Sequence, residues 1–594
     1  MIESSARRVD RFGPNVGQPD PNPPIHPGHR DITGMGDGFR SGGWTQDGLY
    51  SFEILREDAH LRVFLADSRS IRGTPQDEAL QSGLLLVQVE CIKLEERHEV
   101  FFEIVAAEGE DPLLVMLLAG DSVVRSNRVL LRRGTTTFQV GRRLCRLRAE
   151  LVLQVADRMA EQARRLERTQ TLEAGRMGQA VRWNICWDPT SRSAFPAVNR
   201  AWVEMMARNL GLTDYANGPL MFGWDAAFSA MLVSRSEPNL ARMILRSLLA
   251  RQQGDGRLPT MSFGPFDADR SAPPIVPLAL AFLSRDGDLE FVSEVLPQVA
   301  RAHRWLMARR EPHRDGLLCW GDDQEKNGPI RIDGWAGAAY ESGMDDSPLW
   351  EDLAFDPASH SMGRGCVDLT SLAALSARVL AHLSRSTDRD PTSFERDFRR
   401  IRMAANLRLW SHDGLYRNLR LDGRLSSRIG PTSFYPLLAG MVPRDRAESL
   451  IRMHFLNPQE FGGPYIIPSI ARNDRAFNPD GDYWRGRIWP PINFLVWAGL
   501  RQYDRGASAH LASASRELFD IEWERRGHIH ENYSALTGEG RPARGTYARS
   551  CPFYCWGGLL LLSAVEEEGE FVLKDVPIPG AERVSEDDSE NSAK

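Results

Sequence analysis

The chain has 594 residues, 42% hydrophobic and 26% charged, with a formal net charge of −7. That balance describes a globular protein and argues against nucleic acid as the main partner, because a phosphate backbone calls for a basic face. No apolar run approaches the roughly 18 residues of a membrane helix, and Met1-Ile2-Glu3-Ser4-Ser5-Ala6-Arg7-Arg8 lacks the apolar stretch of a secretory signal, so a cytoplasmic protein with no membrane partner is expected.

Seven cysteines, Cys91, Cys145, Cys186, Cys319, Cys366, Cys551 and Cys555, are odd in number and mostly scattered, which fits reduced thiols better than a disulfide framework. Cys551 and Cys555 have no second close cysteine pair or nearby histidine to complete a zinc site, so neither metal nor cofactor is expected. Oligomeric state is left open, a homo-oligomer included.

Residues 1–45, rich in Pro, Gly, Asp and Asn, read as a flexible arm. Over 46–140 short alternating or apolar runs, such as Leu61–Leu65, Leu84–Val89, Val100–Val105 and Leu113–Leu118, predict an N-terminal antiparallel β-sandwich domain. Residues 141–182 lose that alternation and, with Leu151, Val155, Met159 and Ala163 at spacing four, predict a linker helix. From 183 to 566 the periodicity is helical. Helices are predicted near 196–210, 225–235, 237–252, 272–284, 288–309, 368–387, 392–409, 431–440, 444–455, 485–503, 508–526 and 552–566. Twelve helices suit six hairpins closed into an (α/α)6 toroid, so the chain is expected to be mainly α. The connections 183–195, 254–271, 310–366 and 456–484 are longer than compact packing needs, and surplus loop tends to carry function. After 567 the acidic run around Ser585-Glu586-Asp587-Asp588 reads as a disordered tail.

The stretch Tyr340-Glu341-Ser342-Gly343-Met344-Asp345-Asp346-Ser347-Pro348 gathers three carboxylates around a glycine and closes on Ser-Pro, which predicts a rigid loop. With Trp335, Tyr340 and Trp350 around it, a carboxyl here would be desolvated and would hold its proton near neutral pH, as a glycosidase acid must. A solvated acidic turn, even one holding a structural Ca²⁺, accounts for the same segment. Hydrolysis of a glycosidic bond takes a second carboxyl. Glu531 in His530-Glu531-Asn532-Tyr533-Ser534 is the candidate, although a surface glutamate at a helix end reads alike. Phe222-Gly223-Trp224-Asp225 and Asp482-Tyr483-Trp484-Arg485-Gly486-Arg487-Ile488-Trp489 each precede a helix. They combine rings that stack on sugar C–H faces with Asp and Arg that pair with hydroxyls. Helix packing by Trp484 and Trp489, and capping by Asp225, are the plain alternatives.

In order, Trp187-Asp188-Pro189, Phe222-Gly223-Trp224-Asp225, Glu341-Ser342-Gly343-Met344-Asp345, Tyr483-Trp484-Arg485-Gly486, Glu531-Asn532-Tyr533 and Trp556-Gly557 resemble glycoside hydrolase family 63, a relative of the family 37 trehalases. The resemblance covers about 183–566. It implies an (α/α)6 barrel and an inverting α-glycosidase acting on a small carbohydrate, an α-glucoside or a glycosyl-glycerate. Asp345 would be the general acid and Glu531 the general base, with carboxyl groups about 6.5–9.5 Å apart. Trp224, Asp225, Glu341, Tyr483, Trp484, Arg485 and Trp489 would bind the substrate. Two departures stand out: Ala272 in Ser271-Ala272-Pro273-Pro274, where the family often has Gln, and Asp346, where it commonly has Asn. Asp346 would raise the acid's pKa if it points inward, or bond loop backbone if it does not. A trehalase is the same-fold alternative. A non-catalytic carbohydrate binder, or an epimerase using His360, His412, His528 or His530, is the alternative of another class.

Overall fold

The computed structural model describes residues 172–182, 184–188, 193–196, 220–263, 266–268, 270–322, 332–478, 483–526, 529–540, 550, 554–569 and 571–580, together with the backbone of eight strands between Gly38 and Arg148. Those strands pair antiparallel throughout. Gly38–Ser41, Tyr50–Arg56, Ala59–Leu65 and Val87–Val89 form one sheet in sequential order, and Phe102–Ala106 with Pro112–Met116 and Thr135–Val140 with Arg143–Arg148 form hairpins. The first strand lies within the expected arm, the rest of which falls outside the described residues, as does 581–594. The linker helix expected over 141–182 is corrected at its start, and 149–171 lie outside the described residues. Arg143-Leu144-Cys145-Arg146-Leu147-Arg148 is a strand, paired antiparallel with Thr135–Val140, whereas helix is described at α1, Leu172–Arg182, where it was expected.

Two kinds of helix follow. Helices α2 (Gly223–Val233), α4 (Val276–Arg285), α7 (Val367–Ser386), α9 (Tyr435–Ala439), α11 (Pro490–Leu500) and α13 (Leu559–Glu568) are apolar nearly all round, and every residue of α2 and α11 is buried. A helix without a polar face must be enclosed on all sides. The enclosure is mutual: α2 packs on α4, α4 on α7, α7 on α9, α9 on α11, α11 on α13, and α13 back on α2. Around this cycle lie α3 (Pro238–Leu249), α5 (Leu289–Arg309), α8 (Thr392–Arg408), α10 (Arg444–Leu450) and α12 (Arg505–Arg526). In α3 the buried Leu240, Ala241, Ile244, Leu245 and Leu248 recur at spacings of three and four, the one-sided stripe of an outer helix.

Prolines set several starts. The helices expected from 272 and 485 begin at Val276 and Pro490, because Pro273-Pro274 and Pro490-Pro491 remove N–H donors and push the preceding residue out of the helical region. Within the expected 310–366 loop an additional helix, α6 (Gly334–Glu341), forms. Its Gly337 has no room for a side chain, since a Cβ there would lie 2.6 Å from the Ile332 carbonyl oxygen. The helix expected at 196–210 lies outside the described residues beyond Pro196, which ends a short strand. No described helix is long and apolar enough to cross a membrane.

The disordered tail expected from 567 also needs correction. Phe571, Val572, Leu573 and Val576 join the core, and Arg378 of α7 donates to the Val576 carbonyl (2.6 and 3.2 Å) and to Gln502 (2.7 Å). Burial, with no carboxylate partner among the described residues, pulls this guanidinium down to about 10, so it stays charged at neutral pH and depends on those carbonyl oxygens. Arg378→Leu and truncation after residue 570 are each expected to lower unfolding free energy by about 2–4 kcal/mol. Because both remove the same contact, chemical denaturation of the combined variant is expected to show clearly less than the sum.

Candidate active site

Four of the sequence segments lead into the N-terminal ends of enclosed helices. Phe222 precedes α2, Ser271–Pro274 precede α4, Tyr483–Trp489 precede α11, and Tyr554 opens the 3-10 turn Cys555–Gly558 ahead of α13.

Glu341 differs from expectation. It ends helix α6 instead of lying in a loop, and its fully buried carboxylate accepts from Arg310 Nε and Nη2 (2.7 and 2.6 Å), Ser271 N and Oγ (2.9 and 2.8 Å) and Gly321 N (2.8 Å). Arg310 in turn lies over the Trp305 ring at 4.9 Å. With five donors converging on two oxygens, the carboxylate fastens α6 to the end of α5 and the start of α4.

The turn after α6 is built from its own side chains. Ser342 Oγ donates to Ala339 O (2.5 Å) and accepts from Met344 N (3.0 Å), and Ser347 Oγ caps the 3-10 turn Pro348–Trp350. Trp350 donates to Met344 O at 2.8 Å, and Trp335 donates to Trp350 O and Leu353 O. These two rings brace the loop from beneath; the ring against its face is Trp224. Gly343, at φ +73°, lies so close that a Cβ would come within 2.8 Å of Trp224 Cζ2. Asp345 and Asp346 are half-buried on this turn. Asp346 Oδ1 accepts from Trp484 N at 3.1 Å, and its carbonyl accepts from Arg485 at 3.2 Å. The open question about Asp346 is thereby answered in favour of backbone bonding, to a different loop.

Trp484 and Trp489 stack at 3.5 Å with planes 6° apart; Trp224 lies 6.3 Å from Trp484 and meets Trp556 edge-on at 5.4 Å. Tyr483, at φ +34°, packs edge-on against Trp489 at 5.0 Å and takes the Trp489 indole N–H on its carbonyl. Arg485 turns away from this cluster to pair with Glu351 at 2.7 Å.

Asp225 sits in the first turn of α2, 2% exposed, and among the described residues neither of its oxygens accepts a hydrogen bond of ordinary length. Burial pushes it up to about 7, against the facing Tyr554 hydroxyl, which favours the ionised form. The N-cap position is held by Phe222 and not by Asp225, whose carboxylate faces its own backbone N–H in the first turn. Tyr554 was missed by sequence reasoning. Its ring packs against Trp556 at 4.6 Å with planes tilted by 39°, and its own pKa is driven up by burial and by the Asp225 and Glu531 charges. Its position two residues before Trp556-Gly557 was the available signal. A further buried acid, Asp368 in the first turn of α7, accepts from Trp320 Nε1 at 2.9 Å and is raised by burial to about 6.

Glu531 is buried, not on the surface. The chain after α12 returns to pair with the approach to α11, through Ile488 N to Tyr533 O (2.7 Å) and Tyr533 N to Ile488 O (2.9 Å). Arg487, also buried, binds Asn532 and the Gly540 carbonyl, and Trp556 Nε1 donates to Glu531 O at 2.8 Å. The structure therefore gathers Trp224, Asp225, Trp484, Trp489 and Glu531 into one cluster, with the Gly343–Asp345 turn on one flank. Glu341 and Arg485 are turned elsewhere. Of the histidines, His360 pairs with Asp322 (2.8 Å) and His530 with Glu522 (3.3 Å), while Asp482 and His528 lie outside the described residues.

A mainly helical chain that sets a buried aspartate and two further carboxylate-bearing segments around a cluster of tryptophans has residues of the kind a carbohydrate-active hydrolase uses. The sequence profile of the mannosylglycerate hydrolase MGH1-like glycoside hydrolase domain matches residues 218–551. The chain belongs to that family of glycoside hydrolases, within glycoside hydrolase family 63. Among its relatives, the mannosylglycerate hydrolase of Thermus thermophilus is 26% identical over 426 residues, covering 58% of this chain and 96% of the relative. The mannosyl-oligosaccharide glucosidase of Saccharomyces cerevisiae is 24% identical over 289 residues, 43% of this chain and 33% of the relative. The crystal structure of a Thermus thermophilus family 63 mannosylglycerate hydrolase in complex with glucose aligns at a TM-score of 0.48 and 24% identity, covering 59% of this chain and 93% of that one.

The buried Asp225 carboxyl gives a pH-dependent stability. Its folded pKa of about 7 exceeds the unfolded 3.8, so the folded state binds more protons between those values and stability falls as pH rises through 7, by up to about 4 kcal/mol. Asp225→Asn is expected to raise the melting temperature at pH 8 and leave it nearly unchanged at pH 4 in differential scanning calorimetry. Gly343→Ala adds a Cβ against Trp224 at a positive φ. It is expected to cost about 1–3 kcal/mol and to shift tryptophan fluorescence, because the turn and the ring must separate.

Proposed function

We propose that this glycoside hydrolase is an inverting α-glycosidase in which Asp345 protonates the leaving oxygen and Glu531 activates a water on the opposite face of the sugar. The observation that carries this reading is the Trp224–Trp556 contact. The acid's turn lies against Trp224, and the Trp556 indole holds the Glu531 carbonyl, so both carboxylate-bearing segments flank one aromatic floor. Trp224, Trp484, Trp489 and Tyr483 would stack on the apolar face of the cleaved sugar, and Asp225, with Tyr554 beside it, would take its hydroxyls. Glu341, whose lone pairs are engaged, acts by holding the acid's helix in register and not by touching substrate. The closed cycle of α2, α4, α7, α9, α11 and α13 is read as the inner ring of an (α/α)6 toroid, with the site at the mouth formed by the helix N-termini.

For substrate we favour an α-mannosyl- or α-glucosyl-glycerate, or an α-glucoside, because the relatives are named for a mannosylglycerate and for a glucosylated oligosaccharide. Trehalose is the competing substrate, distinguished by release of two glucose molecules per turnover.

Proton NMR of the first-formed product reads the mechanism directly: a β-anomer from an α-linked substrate is expected, and an α-anomer would refute inversion. Asp345→Asn and Glu531→Gln are each expected to lower turnover by about 10³-fold or more with unchanged circular dichroism. Full activity in either variant would remove that residue from the mechanism.

A further inference from the structure

Arg485 stands in the aromatic motif yet does not point into the aromatic cluster. Its Nη1 donates to the Asp346 carbonyl (3.2 Å) and its Nη2 to Glu351 Oε1 (2.7 Å). The other Glu351 oxygen binds Arg428, whose second amino group binds Asp474 at 2.8 Å. Asp474 in turn accepts from Ile429 N (3.2 Å) and Ala476 N (2.9 Å). The Asp346 carboxylate meanwhile takes the Trp484 N–H at 3.1 Å. These charges alternate in sign along a line joining three loops: the one bearing Asp345, the one ahead of α9 and the one ahead of α11. The inner end of the line is dry, with the Arg428 and Asp474 side chains 6% and 4% exposed, and the outer end is half open, with Arg485 and Glu351 at 26% and 34%. Asp346 is the residue directly after the acid, so its two bonds fix the acid's own backbone.

We propose that Glu351, through Arg485 and Arg428, is a positioning residue for the general acid: it locks the Asp345 turn against the Trp484 loop. The inference rests on the reading of Asp345 as the acid. Its stabilising value as a surface ion pair is small, because its outer half is solvated. Its effect lies in geometry, where a displacement of about 1 Å at a reacting group lowers rate by about 100-fold. Arg485 accordingly serves the loop and not the sugar. The Trp484 N–H requires an acceptor oxygen at Asp346, which an amide supplies as well as a carboxylate.

The test uses the full chain and α-mannosylglycerate, α-glucosylglycerate and p-nitrophenyl α-glucoside as probes. Glu351→Gln and Asp346→Ala are expected to lower kcat by about 10- to 100-fold with KM within about twofold, while Asp346→Asn stays near wild type. Asp288→Asn, which breaks the Arg242 pair between outer helices, serves as a control of equal chemistry and is expected to keep wild-type kcat. Wild-type kcat in both Glu351→Gln and Asp346→Ala overturns the proposal. So does a rise in KM alone, which would mark a substrate contact, or an equal loss in Asp346→Asn and Asp346→Ala, which would mark charge and not geometry. Asp345→Asn assayed alongside separates the two readings. If it remains active the acid assignment fails; if it is inactive while the clamp variants turn over normally, only the clamp fails.

Discussion

The ion pair between Glu341 and Arg310 is the constraint on which the site's framework rests. Both side chains are withdrawn from water, and desolvating two ions costs several kcal/mol unless the geometry is nearly complete. Here it is complete on the acidic side, where a bidentate guanidinium, a hydroxyl and two backbone N–H groups converge. Four separate pieces of chain meet at that carboxylate. Because α6 is only eight residues long and contains two glycines, it has little intrinsic stability, and a charged anchor at its last residue holds it in place. The turn carrying Asp345 begins one residue later, so its origin is set by that anchor.

From there the architecture supplies convergence without long-range design. The segments that precede three of the mutually packed helices come together in one cluster. The approach to α2 brings Trp224 and Asp225, the approach to α11 brings Trp484 and Trp489, and the approach to α13 brings Tyr554 and Trp556. The tryptophans then cross-link these approaches by ring contact, and the Ile488–Tyr533 pairing adds the Glu531 segment through backbone bonds. Positioning is thus divided among packing, ion pairing and strand-like bonding, each acting on a different segment.

Helical periodicity made most of the ring legible, since α2, α5, α7 and α8 lie within two residues of their expected bounds. The misplacements have local causes. Proline pairs moved two starts, and α6 was read as loop because Gly-Trp-Ala-Gly-Ala-Ala-Tyr shows no amphipathic stripe; its helicity comes from Glu341 and from burial. In the site, the aromatic and acidic motifs were visible as residue types, but direction was not. Glu341 and Arg485 look like ligands in the sequence and are committed to protein partners in the structure, and those partners, Arg310 and Glu351, sit 31 residues before one and 134 before the other. Pairings over such separations leave no mark on local pattern. Trp335 and Trp350 were assigned to the face of the acid's turn on proximity in sequence, whereas the ring on that face, Trp224, comes from more than a hundred residues upstream.

Asp225 also bears on how the protein answers to occupancy. Ionising a carboxyl buried beside these rings costs free energy, and the neighbouring Trp484 indole N–H, without an acceptor among the described residues, is a second polar group that burial leaves expensive. On the proposed reading, sugar hydroxyls that meet these two groups offset that cost, so free energy withheld from folding reappears as affinity. On the proposed reading the enzyme resists heat least when starved of sugar in alkaline solution, and saturation with ligand should narrow the gap between acid and alkaline melting.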